Sequence, residues 1–143
     1  MTVPAPLRGE SKLKAHQATE KLVIHTLQIT SNPKVFDPRH KSLIDRVNDM
    51  AIGIGQDVWE ANGIRVNGDV RKWDVRRGLQ ERACRHFDVL LYLITLSRRA
   101  FHLRRGKFEH WVRLAKDAKT LVRAWADADR KRYGGLADGK GPE

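Results

Sequence analysis

Apolar residues recur along this chain at three- and four-residue intervals in four separate runs, with polar residues filling the positions between them. That spacing gathers apolar side chains on one face of an α-helix and predicts four amphipathic helices. From Ser11 to about Ile29, Leu13, Ala15, Ala18, Leu22, Val23, Leu27 and Ile29 share a broad face, and Ser31-Asn-Pro-Lys34 breaks the run. Asp37-Pro38 then forms a helix start, because an Asp side chain accepts from free amides and Pro suits the first helical position. The second run keeps Leu43, Val47, Met50, Ile54, Val58 and Ala61 in one stripe and ends at Asn62-Gly63, a pair suited to a left-handed cap.

Gly63 to Gly68 read as a turn, and Asp69 caps the third run. There Trp73, Gln80, Phe87 and Ile94 lie seven apart, with Ala83 and Leu90 in the intervening seam. The fourth run begins after Gly106, aligns Phe108, Trp111, Val112, Ala115, Ala118, Leu121, Val122, Trp125 and Ala128, and stops at Gly134-Gly135. No segment keeps strand period for long. Four helices with short connections predict an all-α, antiparallel up-down four-helix bundle. The expected organisation is a flexible arm over 1–10, the bundle over 11–133 and a disordered tail over 134–143. One inconsistency stands in the third run, where the seam carried backward puts Arg76 and Gln80 at apolar positions. Three explanations fit: an open, wet bundle end, cover from another subunit or ligand, or a helix that overhangs its neighbours.

The chain has 143 residues, 41% of them hydrophobic and 31% charged, which fits one globular domain with a charged exterior. Its longest apolar run, Val89 to Ile94, is far short of the ~20 residues that span a bilayer. Met1 to Arg8 lack the apolar core of a secretory signal, and the single cysteine, Cys84, allows neither an intrachain disulfide nor a cysteine zinc cluster. A reducing, cytoplasmic compartment is the expectation.

Charge changes the picture more than composition does. Twenty-eight Lys and Arg against seventeen Asp and Glu give a formal net charge of +11, which favours polyanionic partners through counterion release. The excess is concentrated between Arg71 and Lys107, where eleven basic residues meet only three acids, Asp74, Glu81 and Asp88. At the junction of the third and fourth runs, Arg98, Arg99, Arg104, Arg105 and Lys107 fall within ten residues, with no acid among them. Guanidinium groups suit phosphate there, since they offer paired donors and keep their charge. Phe101 and His102 lie between the basic pairs, placed to stack a base or, for Phe101, to plug the bundle end. Arg71, Lys72, Arg76, Arg77, Arg82 and Arg85 form a second basic group, spread over several turns and so over several faces; Arg82 and Arg85 are expected to be exposed. Arg130-Lys131-Arg132 extend the positive charge at the end of the fourth run.

Catalytic material is sparse. The chain lacks G-x-x-x-x-G-K-[ST], G-x-S-x-G and H-E-x-x-H motifs. Glu109 and His110 are adjacent rather than spaced as Glu-x-x-His, so they point to different faces and do not match a di-iron bundle. His16, His25, His40, His86, His102 and His110 show no repeated i, i+4 pairing, and they read as surface or core-edge side chains. Cys84 reads as a small buried hydrophobe. Asp127 and Asp129 beside Arg130 read as helix-end ion pairs. The expectation is a protein with no catalytic residues, no metal and no cofactor.

Several stretches resemble a known family. His25-Thr-Leu-Gln-Ile-Thr-Ser-Asn-Pro-Lys-Val-Phe36, Glu60-Ala-Asn62, Arg77-Gly-Leu-Gln80 with Ala83 and Leu90-Leu91, and Trp125 with Asp129 and Arg130 are similar in order and spacing to the Avd-like four-helix-bundle proteins. These are the accessory variability determinants of diversity-generating retroelements, related to small proteins encoded in 23S ribosomal RNA intervening sequences. The resemblance covers about residues 13–132; its one visible departure is Phe36-Asp37-Pro38-Arg39, which inserts an acid. It implies a bacterial or phage-encoded, ring-shaped homo-oligomer, typically a pentamer. Such an assembly binds a reverse transcriptase together with template RNA and RNA–DNA hybrid, and it supports adenine-directed mutagenic copying. The alternatives are an intervening-sequence-type protein, or a basic scaffold that docks an acidic protein surface.

Overall fold

The computed structural model describes residues 10–137. Helix α1 spans Glu10–Thr30, α2 Lys41–Gly63, α3 Val70–Phe101 and α4 Arg105–Ala137, and a single 3-10 turn over Pro38–His40 leads into α2. Among the described residues there is no strand, and no helix is long and apolar enough to cross a membrane. Each helix packs on its neighbour in sequence, and α4 returns to pack on α1, which makes a four-helix bundle. Cross-helix contacts fix the directions of α3 and α4. Arg76 meets Asp129 while Asp88 meets Lys119, so one helix ascends as the other descends.

Local chemistry sets the boundaries. Asp37 accepts from the Arg39 amide at 2.9 Å and caps the 3-10 turn, and its bond to the Arg39 guanidinium helps hold its carboxyl down at about 2. Asp69 caps α3 in the same way through the Arg71 amide at 2.9 Å. The expected left-handed cap at Asn62-Gly63 is not formed. Gly63 stays helical, Ile64 is extended, and the left-handed residues come later, at Asn67 (φ 48°) and Gly68 (φ 77°). The delay buries Val66 before the chain turns into α3. Gly134 and Gly135 likewise do not stop α4, which continues to Ala137. Glycine costs a helix ~1 kcal/mol against alanine but does not break it, and Tyr133 anchors this end against Trp73 at 5.4 Å. The expected tail therefore begins in a helix, while residues 1–9 of the arm and 138–143 of the tail lie outside the described residues.

The core follows the predicted stripes on three helices and departs from them on α1. Val47, Ala51, Ile54, Val58 and Ala61 of α2 face Ala83, Phe87, Leu90 and Ile94 of α3, while α4 contributes Trp111, Ala115, Ala118, Val122 and Trp125. On α1 the buried line is Ala15, Thr19, Leu22, Thr26 and Ile29, whereas Leu13 is 54% and Leu27 39% exposed. Three threonines, Thr19, Thr26 and Thr30, thus replace apolar residues inside. Two of them satisfy their hydroxyls locally: Thr26 donates to the Leu22 carbonyl at 2.8 Å and accepts from Trp111 Nε1 at 3.0 Å, and Thr30 Oγ1 lies 2.8 Å from the Thr26 carbonyl. Phe101, half-buried, closes the end of the bundle against Phe36 at 4.8 Å and His40 at 4.9 Å.

A core this tightly built responds to truncation. Phe87→Ala is expected to lower the unfolding free energy by about 3–5 kcal/mol in equilibrium denaturation. Val89→Ala, two residues along and exposed, should change it by no more than about 0.5 kcal/mol. Equal losses from the two would contradict the placement of α3.

Candidate nucleic-acid interface

The eleven basic residues singled out on α3 and at the start of α4 do not form one patch. Helix α3 holds 32 residues, about 48 Å at 1.5 Å per residue, so Arg71 and Arg99 sit near opposite ends of the bundle. Between them, several arginines are already engaged by carboxylates.

Arg76 is the clearest correction. It is 5% exposed and lies inside the bundle, where Nε and Nη2 donate to the Asp129 carboxylate at 2.7 and 3.0 Å and Nη1 donates to the Ile64 carbonyl at 2.9 Å. Its guanidinium also lies over the rings of Trp125 and Tyr133, at 5.3 and 5.7 Å. Gln80 completes the group by donating Nε2 to Asp129 at 2.6 Å. The two polar residues at apolar seam positions are therefore explained by a third, Asp129, which is no helix-end ion pair but sits one helical turn beyond Trp125 on the buried stripe of α4. Arg76 and Asp129 are thus buried at this bundle end, and Arg76 is not presented to a phosphate. The geometry also orients Gln80: with its amide NH2 on Asp129, its carbonyl oxygen is left buried without a partner. Nearby, burial and the positive charges of Arg76 and Arg65 push the Lys12 ammonium below its usual range.

Three further arginines are paired at the surface. Arg82 is half exposed, as expected of its position, but it grips the buried carboxylate of Asp57 on α2 through Nη2 at 2.6 Å and Nε at 3.0 Å. Arg77 donates to Asp74 at 3.1 Å, and Arg105 donates to Glu109 at 2.7 Å. Arg71, Lys72, Arg85, Arg98, Arg99, Arg104 and Lys107 form no ion pair among the described residues. Four of these seven cluster where α3 gives way to α4. His102 takes a left-handed conformation there (φ 53°), ending α3, and Leu103 tucks into the core. The turn leaves a cleft of about 450 Å³ lined by Thr95, Arg98, Arg99, His102, Leu103 and Phe108, with the Arg98 guanidinium 4.5 Å from the Phe108 ring centre. Phe108, rather than Phe101, is the aromatic side chain beside the free arginines.

A second cleft, of about 340 Å³, lies between α3 and α4 and brings in Arg123, which the sequence pattern had not singled out. Arg85 is joined there by Arg123 and Arg130 from α4, but the acids Glu81 and Asp127 line it too, and Asp127 pairs with Arg130 at 3.5 Å as the sequence suggests. Arg123 and Arg130 are seven apart, so they share a face of α4; that spacing was the available signal. Cys84 is half-buried, and desolvation raises its thiol above the ordinary value, which keeps it protonated. Among the described residues no group of three or more His, Cys, Asp or Glu is placed to hold a metal ion. The arrangement offers charge, hydrogen-bond donors and aromatic faces to an anionic ligand. No family model, curated protein or solved structure matches the chain.

The buried pair has a direct test. Asp129→Asn keeps the shape but strands the Arg76 charge, and should destabilise the fold by about 3–5 kcal/mol. The double substitution Arg76→Met with Asp129→Leu should recover most of that loss in the same denaturation experiment. A single-variant loss below about 1 kcal/mol would mean that Arg76 is solvated instead.

Proposed function

We propose that this protein is a non-enzymatic nucleic-acid-binding accessory protein of a diversity-generating retroelement, which binds a reverse transcriptase and its template RNA to support mutagenic cDNA synthesis. The observation that carries the nucleic-acid part is the set of cations without ion pairs at the α3–α4 junction: Arg98 and Arg99 line a cleft that also presents Phe108 and His102, and Arg104 and Lys107 follow in the next turn of chain. Phosphates suit the guanidinium groups, and unstacked bases suit the aromatic faces. The retroelement, the polymerase partner and the cytoplasmic setting rest on the resemblance to Avd-like proteins. So does assembly into a ring-shaped homo-oligomer, typically a pentamer. Exposed apolar side chains agree with self-association: Trp59 is 67% exposed and Ile52 40% on α2, and Val75, Val89 and Leu96 line the outside of α3.

The reading predicts steeply salt-dependent affinity for RNA–DNA hybrid. With about six phosphates contacted, binding measured by fluorescence anisotropy should weaken ~10³-fold between 50 and 200 mM salt. Replacing Arg98, Arg99, Arg104 and Lys107 by Glu should lower affinity at 100 mM salt by at least ~100-fold and leave the melting temperature nearly unchanged. Undiminished binding by that variant, or binding indifferent to salt, would overturn the nucleic-acid reading.

A further inference from the structure

We infer that a single-stranded stretch of RNA runs lengthwise along the α3–α4 face of the bundle, from the junction cleft to the Arg85 cleft, with one base stacked on Tyr92 midway. The inference rests on the nucleic-acid reading above and adds the strand type, the path and a residue that the reading does not use.

Helical spacing carries the path. The α3 residues that line the junction cleft include Thr95, Arg98 and Arg99, and those that line the second cleft include Glu81, Cys84 and Arg85. Each member of one set is fourteen residues from its counterpart in the other. Two heptads bring a helix back to within about 40° of its starting direction, so both clefts open on the same side of α3. They lie about 21 Å apart along its axis.

Midway on the line Arg85–Tyr92–Arg99, one heptad from each arginine, stands Tyr92. It is 63% exposed, a large aromatic ring presented to solvent between two clusters of guanidinium groups. On α4, Arg123 adds a cation at the far cleft, where Arg130 is paired with Asp127 at 3.5 Å, and Arg98 and Phe108 close the near one. Lys119 bridges the middle through Asp88, and Glu81 and Asp127 offset part of the charge of the far cleft, so the junction is the more positive end and the aromatic ring lies between the two.

Alternating cations and an aromatic ring match the chemistry of single-strand binding. Phosphates of a flexible chain follow the cations, and an unstacked base lies flat on the ring whatever its identity. Duplex RNA offers no unstacked base to Tyr92. A path of about 21 Å takes only a few nucleotides, near the low end of the ~4–16-nucleotide sites of single-strand-binding folds. Arg82, Val89 and Leu96 lie on the neighbouring line, turned toward α2, where Arg82 holds Asp57. That leaves the Tyr92 line free of the apolar stripe offered for self-association.

The experiment uses fluorescein-labelled oligouridylates of two to twelve nucleotides and a blunt twelve-base-pair RNA duplex, titrated into the full chain at 100 mM salt. Affinity is expected to climb to about five nucleotides and then level off, with the duplex bound at least tenfold more weakly than the twelve-nucleotide strand. Tyr92→Ala should weaken the twelve-nucleotide complex about tenfold, whereas Tyr92→Phe should stay within about twofold of the parent. The Arg85→Glu, Arg123→Glu double variant should remove the gain between three and five nucleotides. Equal binding by Tyr92→Ala and the parent, or a duplex bound as tightly as the strand, overturns the track. If binding is nevertheless lost on charge reversal at Arg98, Arg99, Arg104 and Lys107, the nucleic-acid reading survives that result. If the parent binds no RNA at all, both fall. A Tyr92→Ala protein with altered oligomer size and unaltered RNA affinity also overturns the track, because the ring would then belong to a contact between copies.

Discussion

Three polar side chains buried together hold the lower half of this bundle in register. Asp129 of α4 takes two bonds from Arg76 and one from Gln80, both on α3, while Arg76 also reaches back to the Ile64 carbonyl at the end of α2. Three helices therefore meet at one guanidinium. Such a pair is poor as a source of net stability, because desolvating two charges offsets most of their attraction. It is effective as a fastener, because sliding α3 against α4 by one turn would leave a bare charge on each side. Among the described residues the other half holds no buried ion pair. There Phe87, Leu90, Ile94, Trp111 and Phe36 pack by shape, and the Thr26 hydroxyl receives the Trp111 indole.

That register decides which cations face outward together. Arg123 of α4 comes opposite Arg85 of α3 because Asp129, six residues further along α4, is locked to Gln80, five residues earlier on α3. A net charge of +11 on a small fold repels itself, and the carboxylates answer this unevenly. Asp57, Asp74, Glu109 and Asp129 each engage an arginine, whereas the α3–α4 junction keeps Arg98, Arg99, Arg104 and Lys107 without ion pairs among the described residues. The long helices fix the backbone positions from which Arg98, Arg99 and Lys107 extend.

Much of the fold was legible because it is written in spacing. The stripes of α2, α3 and α4, the Asp69 cap and the turn before it all follow from period and local chemistry. What sequence left unread depends on partners distant in the chain. Thr26 and Thr30 look polar by composition, yet a threonine can return its hydroxyl to the preceding turn and so enter a core, as both do here. Leu13 and Leu27 look apolar and stay outside, since the stripe of α1 is rotated toward those threonines. Arg76 looked available for phosphate because its neutralising carboxylate lies fifty-three residues away. The hint was present in Asp57 and Asp129, acids in step with the apolar stripes of their own helices. An acid at such a position needs a cation from across the core. Gly63 and Gly134-Gly135 misled for the converse reason: glycine permits a helix to end but does not require it, and Val66 and Tyr133 set the real boundaries through packing.

The sorting of arginines into internal and outward-facing groups is the claim on which the rest stands, and arginine-selective dicarbonyl labelling read by mass spectrometry measures it residue by residue. In the folded chain without RNA, Arg98, Arg99 and Arg104 should label readily while Arg76 stays unlabelled; saturating RNA should then protect those three and leave Arg76 as it was. Labelling of Arg76 at a rate comparable to Arg99, or labelling at the junction that RNA does not slow, would contradict it.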